Sequence, residues 1–262
     1  MSGKIWQITP VAAAVLPVPR WECVFGLNDC TLQEITFWVW IVRCGDVIGL
    51  VDTGLPLADD LSSLNEANQA LDSQSVFSQV RPLSEILQQL GIAGEDISFV
   101  LISQWITYST GGLSRENFPR AHVYCAWGGM QEFLTATPGH PPREFYLTKD
   151  SWAFVRELLM ENRLTFVQRP LEVECGVTIE PTGGHHPGSA GVKIRTDRGL
   201  VGILETAFIQ ENILRGVPIG IAENAAECRS AILSYRQECD LVIAGHEPSA
   251  PQLLSDFMSA SR

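Results

Sequence analysis

The chain has 262 residues, of which 45% are hydrophobic and 18% charged, a composition that can bury a sizeable core. Its 18 basic and 30 acidic residues give a formal net charge of -12. That charge would repel nucleic-acid phosphates and anionic lipid surfaces, so we expect neither nucleic acid nor a membrane as a partner. Because α/β domains often exceed ~200 residues, we expect one domain over residues 1–262.

The cysteines indicate neither a zinc knuckle nor a redox dithiol, because no two of them form a C-x-x-C pair. The seven stand at positions 23, 30, 44, 125, 175, 228 and 239. We expect them to be small buried side chains in a reducing cytoplasm. An apolar patch at residues 11–18 contains Pro17 and has only Lys4 as an upstream basic residue, so we expect no signal peptide.

Strand and helix patterns alternate along the chain. Apolar or β-branched runs predict strands at residues 35–42, 47–51, 98–103, 121–125, 191–196, 200–204 and 240–244, the first two as a hairpin around a Gly-Asp turn. Helical patterns occupy residues 57–71, 82–90, 130–134, 152–162 and 222–238. Pro138, Pro141 and Pro142 predict a loop. This order predicts an α/β domain in which helices cover sheets.

Five short motifs follow one another at plausible spacing. They are VDTG at residues 51–54, GGL at 111–113, GHHPGS at 184–189, LETA at 204–207 and AGH at 244–246. Together they resemble the metallo-β-lactamase superfamily over residues 35–248. Glu211-Asn212-Ile213 and the following Val217-Pro218 make the N-acyl homoserine lactonase branch the closest one. The resemblance implies an αββα sandwich with its active site at the edge where the loops after the strands meet.

The first metal motif of that superfamily, H-x-H-x-D-H, is degenerate in this chain. Counted back from the Gly-Gly pair, its four ligand positions hold Gln104, Ile106, Tyr108 and Ser109. Zinc is bound by imidazole, thiolate or carboxylate groups, and none of these four side chains supplies one. We therefore expect no dinuclear zinc centre.

The other ligand positions implied by the resemblance are filled by His185, Glu205 and His246. Two histidines and a carboxylate can hold one divalent metal ion with open positions. In the superfamily the two histidines would serve different ions, so one ion would have to lie between them, with Glu205 bridging. One metal ion and none therefore remain open as cofactor hypotheses.

Further side chains are candidates for the site because they fall on the same loops. The lactonase tyrosine after the bridging aspartate is replaced by Phe208, so Tyr108 is the candidate for donating a hydrogen bond to a substrate carbonyl. We expect the remaining substrate contacts to come from Gln104, Trp105, Ile106, Ser109 and Phe208. Asp52 is interpreted as a turn residue, His186 as a surface or loop residue, and His122 and His140 as incidental.

The leading functional hypothesis is a hydrolase for a small ester, lactone or amide-like molecule. His185 or His246 would act as general base, oriented by Glu205, and Tyr108 or Gln104 would stabilise the oxyanion. A non-catalytic small-molecule-binding protein on the same scaffold is one alternative. A lyase or isomerase that uses the same acid–base residues is another. A homodimer is compatible with this fold, and its presence stays open.

Overall fold

The computed structural model describes residues 4–135 and 143–260. The strands in that part of the chain are β1 (Gln7–Pro19), β2 (Leu32–Cys44), β3 (Val47–Val51), β4 (Ile97–Ile102), β5 (His122–Ala126), β6 (Leu164–Val167), β7 (Leu171–Glu174), β8 (Val177–Pro181), β9 (Ala190–Thr196), β10 (Gly199–Leu204) and β11 (Leu241–Ala244). The α-helices are α1 (Arg20–Cys23), α2 (Ala58–Leu71), α3 (Leu83–Gln89), α4 (Thr107–Thr110), α5 (Trp127–Thr135), α6 (Arg143–Tyr146), α7 (Lys149–Met160), α8 (Gln210–Arg215), α9 (Ala225–Glu238) and α10 (Ala250–Ser259). None of these helices has the length and apolar character needed to cross a membrane.

The strands form two sheets. The first has the order β1-β2-β3-β4-β5-β6, with antiparallel pairing from β1 to β3 and parallel pairing from β3 to β6. The second has the order β11-β10-β9-β8-β7 and is antiparallel except for the β10–β11 pair. The parallel pairs matter for the site, because their strands end at the same edge of a sheet.

Four layers result from the way the sheets and helices bury their apolar faces. The two sheets face each other through one core, to which Trp40 and Leu101 contribute from the first sheet and Val192 from the second. Ile86 of α3 belongs to the core on the outer face of the first sheet, and Ile232 of α9 to the core on the outer face of the second. This is the αββα sandwich that the sequence predicts.

Strand β1 was not expected, because three prolines interrupt residues 10–19. It pairs along its length with β2 and lies at the edge of the first sheet. Proline lacks a backbone donor, and an edge strand has one side on which no donor is needed. The edge position therefore explains how a proline-rich segment is a strand.

The other predicted elements are confirmed, with shifted boundaries. Helix α9 begins at Ala225 instead of residue 222, because the Asn224 side chain caps it by accepting hydrogen bonds from the backbone of Ala226 and Glu227, both at 3.2 Å. Strands β6, β7 and β8 have only four or five residues each and were not predicted. The predicted proline loop at residues 138–142 lies outside the described residues.

Candidate functional site

Loops that follow strands of both sheets meet at one edge of the sandwich. The backbone nitrogen of Ala190 donates to the carbonyl oxygen of Ser103 at 2.7 Å and so ties the second sheet to the first. Two backbone hydrogen bonds hold His246 in place. Its nitrogen donates to the carbonyl oxygen of Phe208 at 3.1 Å, and its carbonyl oxygen accepts from the nitrogen of Thr36 at 3.0 Å. The sequence-predicted residues of four loops are therefore brought together.

A cavity of about 330 Å³ opens at this edge and is mostly apolar. Leu16, Ile35 and Phe37 line one part of it, from β1 and β2. The histidines His185, His186 and His246 line it together with Gln104, Tyr108 and Phe208. An apolar cavity of this size with a few convergent polar groups is typical of a small-molecule site.

His185 and Glu205 form a buried pair beside this cavity. Nδ1 of His185 contacts Oε1 of Glu205, and the side-chain nitrogen of Gln104 lies 3.1 Å from the same Nδ1. Both partners are almost fully buried, at 4% and 3% exposure. Oε2 of Glu205 has no hydrogen-bond partner within the described ranges, so His185 is the main partner of this carboxylate.

The charge of Glu205 follows from that contact. Burial alone would raise the pKa of Glu205, but the charge and hydrogen bond of His185, with a smaller effect from His246, hold the pKa below its ordinary value. Glu205 is therefore ionised at neutral pH, and an ionised carboxylate can only accept hydrogen bonds. Nδ1 of His185 must carry the hydrogen, which leaves Nε2 as the ring nitrogen free for a ligand in the cavity.

His246 has a different partner. Its Nδ1 lies 3.2 Å from the carbonyl oxygen of Thr36, and burial lowers the pKa of His246 to about 4. The Phe208 ring packs edge-on against both His246 and His185, with centroid distances of 5.0 and 4.9 Å. Glu205 thus orients His185, whereas His246 is oriented by the backbone.

A second imidazole–carboxylate pair was missed by the sequence analysis. Nδ1 of His186 lies 2.7 Å from Oε1 of Glu223, and both residues line the cavity. The His185 and His186 rings are 4.3 Å apart. Burial and the charge of His185 lower the pKa of His186. The sequence indicates only a surface or loop residue at His186, because nothing in it links His186 to Glu223, which lies on the loop before α9.

The loop after β4 contributes less to the cavity than expected. Gln104 and Tyr108 do line it, and burial raises the pKa of the Tyr108 hydroxyl, so this group stays protonated. Trp105 and Ile106, expected to contact substrate, are instead packed into the interior at 2% and 1% exposure and do not line the cavity. Ser109 lines a separate small space behind it. The expectation that Trp105, Ile106 and Ser109 contact the substrate is therefore wrong. The side chains of Trp105 and Ile106, just before α4, pack into the interior, and Ser109 lines the separate small space.

Asp52 ends up in the same interior space as Ser109. It has φ of 61° and accepts hydrogen bonds from the backbone nitrogen and hydroxyl of Ser103, at 2.8 and 2.5 Å. Burial, which outweighs these hydrogen bonds, raises the pKa of Asp52 to about 7. The space that Asp52, Ser109, Glu205 and His246 line has a volume of about 10 Å³.

The residues present do not fit the metal centre that the resemblance implies. Four of its ligand positions hold Gln104, Ile106, Tyr108 and Ser109, which supply no imidazole, thiolate or carboxylate, so a centre of two ions lacks ligands on this loop. A single ion at His185, Glu205 and His246 is not supported either. Within the described part of the chain, only Glu132, His186 and Glu223 bring three ligand atoms within 4.8 Å of one another. The ligand atoms of His185, Glu205 and His246 do not form such a group.

Comparison with known proteins gives structural matches only. No protein-family model matches the chain, and no curated protein matches its sequence. The structure of B. thuringiensis AiiA with N-decanoyl-L-homoserine bound at the active site is 17% identical, covers 96% of both chains and superposes with a TM-score of 0.75. An N-acyl homoserine lactone hydrolase with the product N-hexanoyl-L-homoserine bound at its catalytic metal center is 18% identical. The match covers 96% of both chains with a TM-score of 0.74.

A probable metal-dependent hydrolase from Staphylococcus aureus is more distant. It is 13% identical, and the match covers 94% of this chain and 91% of that one with a TM-score of 0.71. At such identities the likeness is one of fold, and it extends over nearly the whole chain. The protein therefore has the metallo-β-lactamase fold, and N-acyl homoserine lactonases are among its structural neighbours.

Proposed function

We propose that the protein hydrolyses a small apolar ester or lactone in the 330 Å³ cavity, with His185 and Glu205 transferring the proton in place of metal ions. The observation that carries this proposal is the buried imidazole–carboxylate pair beside a mostly apolar cavity. Structural neighbours that hold N-acyl homoserine products at their active sites support an acyl compound as the substrate class.

The lining of the cavity favours a substrate with an apolar tail and one polar end. Leu16, Val18, Ile35 and Phe37 offer apolar surface to an acyl chain or a ring. His185 and Tyr108 are among the polar groups of the same lining. A carbonyl group would bind there, with its tail along β1 and β2.

His185 is suited to act on the carbonyl and leaving oxygens. Because a positive partner stabilises an ionised carboxylate as deeply buried as Glu205, we assign His185 the role of an imidazolium in the reaction, with a hydrogen on each ring nitrogen. Its Nε2–H would donate to the carbonyl oxygen during attack and then give its proton to the leaving oxygen. The Tyr108 hydroxyl, which keeps its proton, would donate a second hydrogen bond to the oxyanion.

The attacking water must lose a proton to a neutral imidazole. His186 and His246 both line the cavity, and the pKa of each is lowered, so both are neutral at neutral pH. Chemistry of this kind needs no Lewis acid, since each positioned acid or base contributes a factor of ~10²–10⁴ in rate.

The test is hydrolysis of a series of p-nitrophenyl esters and γ-lactones of increasing acyl length, before and after treatment with a metal chelator. We expect turnover that survives chelation and falls by at least ~10²-fold in His185→Gln. His122→Gln is the matched control, because His122 bonds Thr165 at 2.8 Å and does not line the cavity. Turnover that disappears on chelation would contradict the proposal.

A non-catalytic binding protein is the second candidate, favoured by a cavity beside a loop whose four implied ligand positions hold no metal-binding group. Binding of an acyl compound without turnover in the same series would establish it. We further propose that the protein acts in a reducing compartment such as the cytoplasm. Its seven cysteines are all free in the structure, which supports this.

A further inference from the structure

We propose that His186, oriented by Glu223, is the base that takes the proton from the attacking water, and that Glu223 is a positioning residue for this step. The inference rests on the proposed function and adds to it a residue that the sequence analysis set aside. Nδ1 of His186 lies 2.7 Å from Oε1 of Glu223. Because the carboxylate accepts the hydrogen on Nδ1, the unprotonated nitrogen is Nε2, on a ring that lines the cavity.

The backbone holds this pair in place. Two backbone hydrogen bonds join the loop before α9 to the turn that contains His185 and His186. The nitrogen of Glu223 donates to the carbonyl oxygen of His185 at 3.3 Å, and the nitrogen of Asn224 donates to that of Gly184 at 2.9 Å. The backbone nitrogen of His186 donates to the Ser189 hydroxyl at 3.1 Å. His186 and Glu223 therefore meet because two fixed loops meet, and not through free movement of exposed side chains.

His246 is the competing base, and its partner makes it the weaker choice. When an imidazole takes a proton, a carboxylate at Nδ1 stabilises the new positive charge more than a neutral carbonyl does. His186 has Glu223 at that position, whereas His246 has only the carbonyl oxygen of Thr36 at 3.2 Å. The His186 side chain is also 19% exposed, so its proton can leave to solvent, while His246 is buried.

The proton balance closes with two imidazoles in different roles. One O–H bond of water breaks, its proton goes to Nε2 of His186, and the oxygen bonds to the carbonyl carbon. The carbonyl electron pair moves to the oxygen that His185 holds. The C–O bond to the leaving group then breaks as His185 gives it a proton. The acid product returns a proton to His185, and His186 releases its own to solvent.

Two measurements test the assignment. The first is hydrolysis of p-nitrophenyl hexanoate by His186→Gln, Glu223→Gln and His246→Gln, with His122→Gln as control. We expect kcat to fall by ~10² or more in His186→Gln and by about tenfold in Glu223→Gln, with little change in KM. A larger loss of kcat in His246→Gln than in His186→Gln would overturn the assignment.

The second measurement needs no substrate. Nitrogen NMR of the histidine rings should show His186 with hydrogen on Nδ1 and none on Nε2, and Glu223→Gln should shift that tautomer. A hydrogen on Nε2 in the wild type overturns the proposal. Metal binding would also overturn the proposal, since Glu132 could complete a metal site with His186 and Glu223. The overturning result is one equivalent of Zn²⁺ bound by the wild type and lost in both His186→Gln and Glu223→Gln. If no ester is hydrolysed, the proposed function is wrong, and the assignment of His186 as the base is wrong with it. The expected NMR result would then still show that Glu223 orients His186.

Discussion

The two halves of the site use their polar side chains in opposite ways. In the half that follows the first sheet, hydroxyls stabilise the loop itself: Thr107 donates to the carbonyl of Phe145 at 3.1 Å, and Thr110 to that of Ile106 at 3.0 Å. In the half that follows the second sheet, His185 and His186 line the cavity and each is paired with a carboxylate, Glu205 and Glu223 respectively. The imidazole–carboxylate pairs proposed to transfer protons therefore lie in the half that follows the second sheet.

Each half contains one buried carboxylate, and the partner decides its charge. Asp52 faces the hydroxyl and backbone nitrogen of Ser103, and burial raises its pKa to about 7. Glu205 faces the imidazole of His185, and its pKa is lowered although this side chain is only 3% exposed. Hydrogen bonds from neutral groups do not offset the loss of hydration at Asp52, whereas an adjacent positive charge does at Glu205.

The largest expected effect is on turnover when the carboxylates are neutralised one at a time. Glu205→Gln removes the charge that supports His185, so we expect kcat for p-nitrophenyl hexanoate to fall by ~10²–10⁴-fold. Asp52→Asn, in the other half, should change kcat by less than about tenfold. This is smaller than the ~10²-fold loss expected when a proton-transfer group is removed. Equal losses in the two variants would abolish the distinction between the halves.

A smaller effect is expected when a family ligand is restored in the first half. Ile106 is 1% exposed, so Ile106→His places an imidazole without a partner in the interior and should lower the free energy of unfolding by ~1–3 kcal/mol. Urea denaturation measures this, with Ile106→Val as the control for lost volume, expected at ~0.5–1.5 kcal/mol. An Ile106→His protein that is as stable as the wild type and binds Zn²⁺ would show that the loop still supports a metal centre.

The sequence predicts the second-sheet half better than the first. His185, Glu205 and His246 stand in motifs of regular spacing, and the structure brings all three to one edge. Trp105 and Ile106 were misplaced, because the direction of a side chain in a loop depends on packing that no local pattern encodes. Glu223 was missed for a related reason: it approaches His186 only through tertiary hydrogen bonds between two loops. Likewise β1 could not be predicted without knowing that it is an edge strand.

A pH dependence of stability should come from Asp52. Its folded-state pKa lies above the ordinary value of 3.8, so its contribution is complete below pH 3.8 and is lost as the pH rises through about 7. The expected loss is at most ~1.4 kcal/mol per pH unit, the slope for one proton. Asp52→Asn should remove this slope in urea denaturation series, since asparagine accepts a positive φ. A slope that persists in the variant would assign the proton to another group.

The smallest expected effect concerns Gln104, a first-half side chain that contacts the second-half pair. Its side-chain nitrogen lies 3.1 Å from Nδ1 of His185, which Glu205 already engages. The Gln104 nitrogen and the protonated Nδ1 are both donors, so Gln104→Leu removes a contact but no hydrogen bond to His185 and should change kcat by no more than about tenfold. His185 would keep its orientation, because Glu205 holds the same nitrogen with a full charge. If Gln104→Leu lowered kcat as far as Glu205→Gln, the first half would also position the proton-transfer residue, and the two halves would act as one unit.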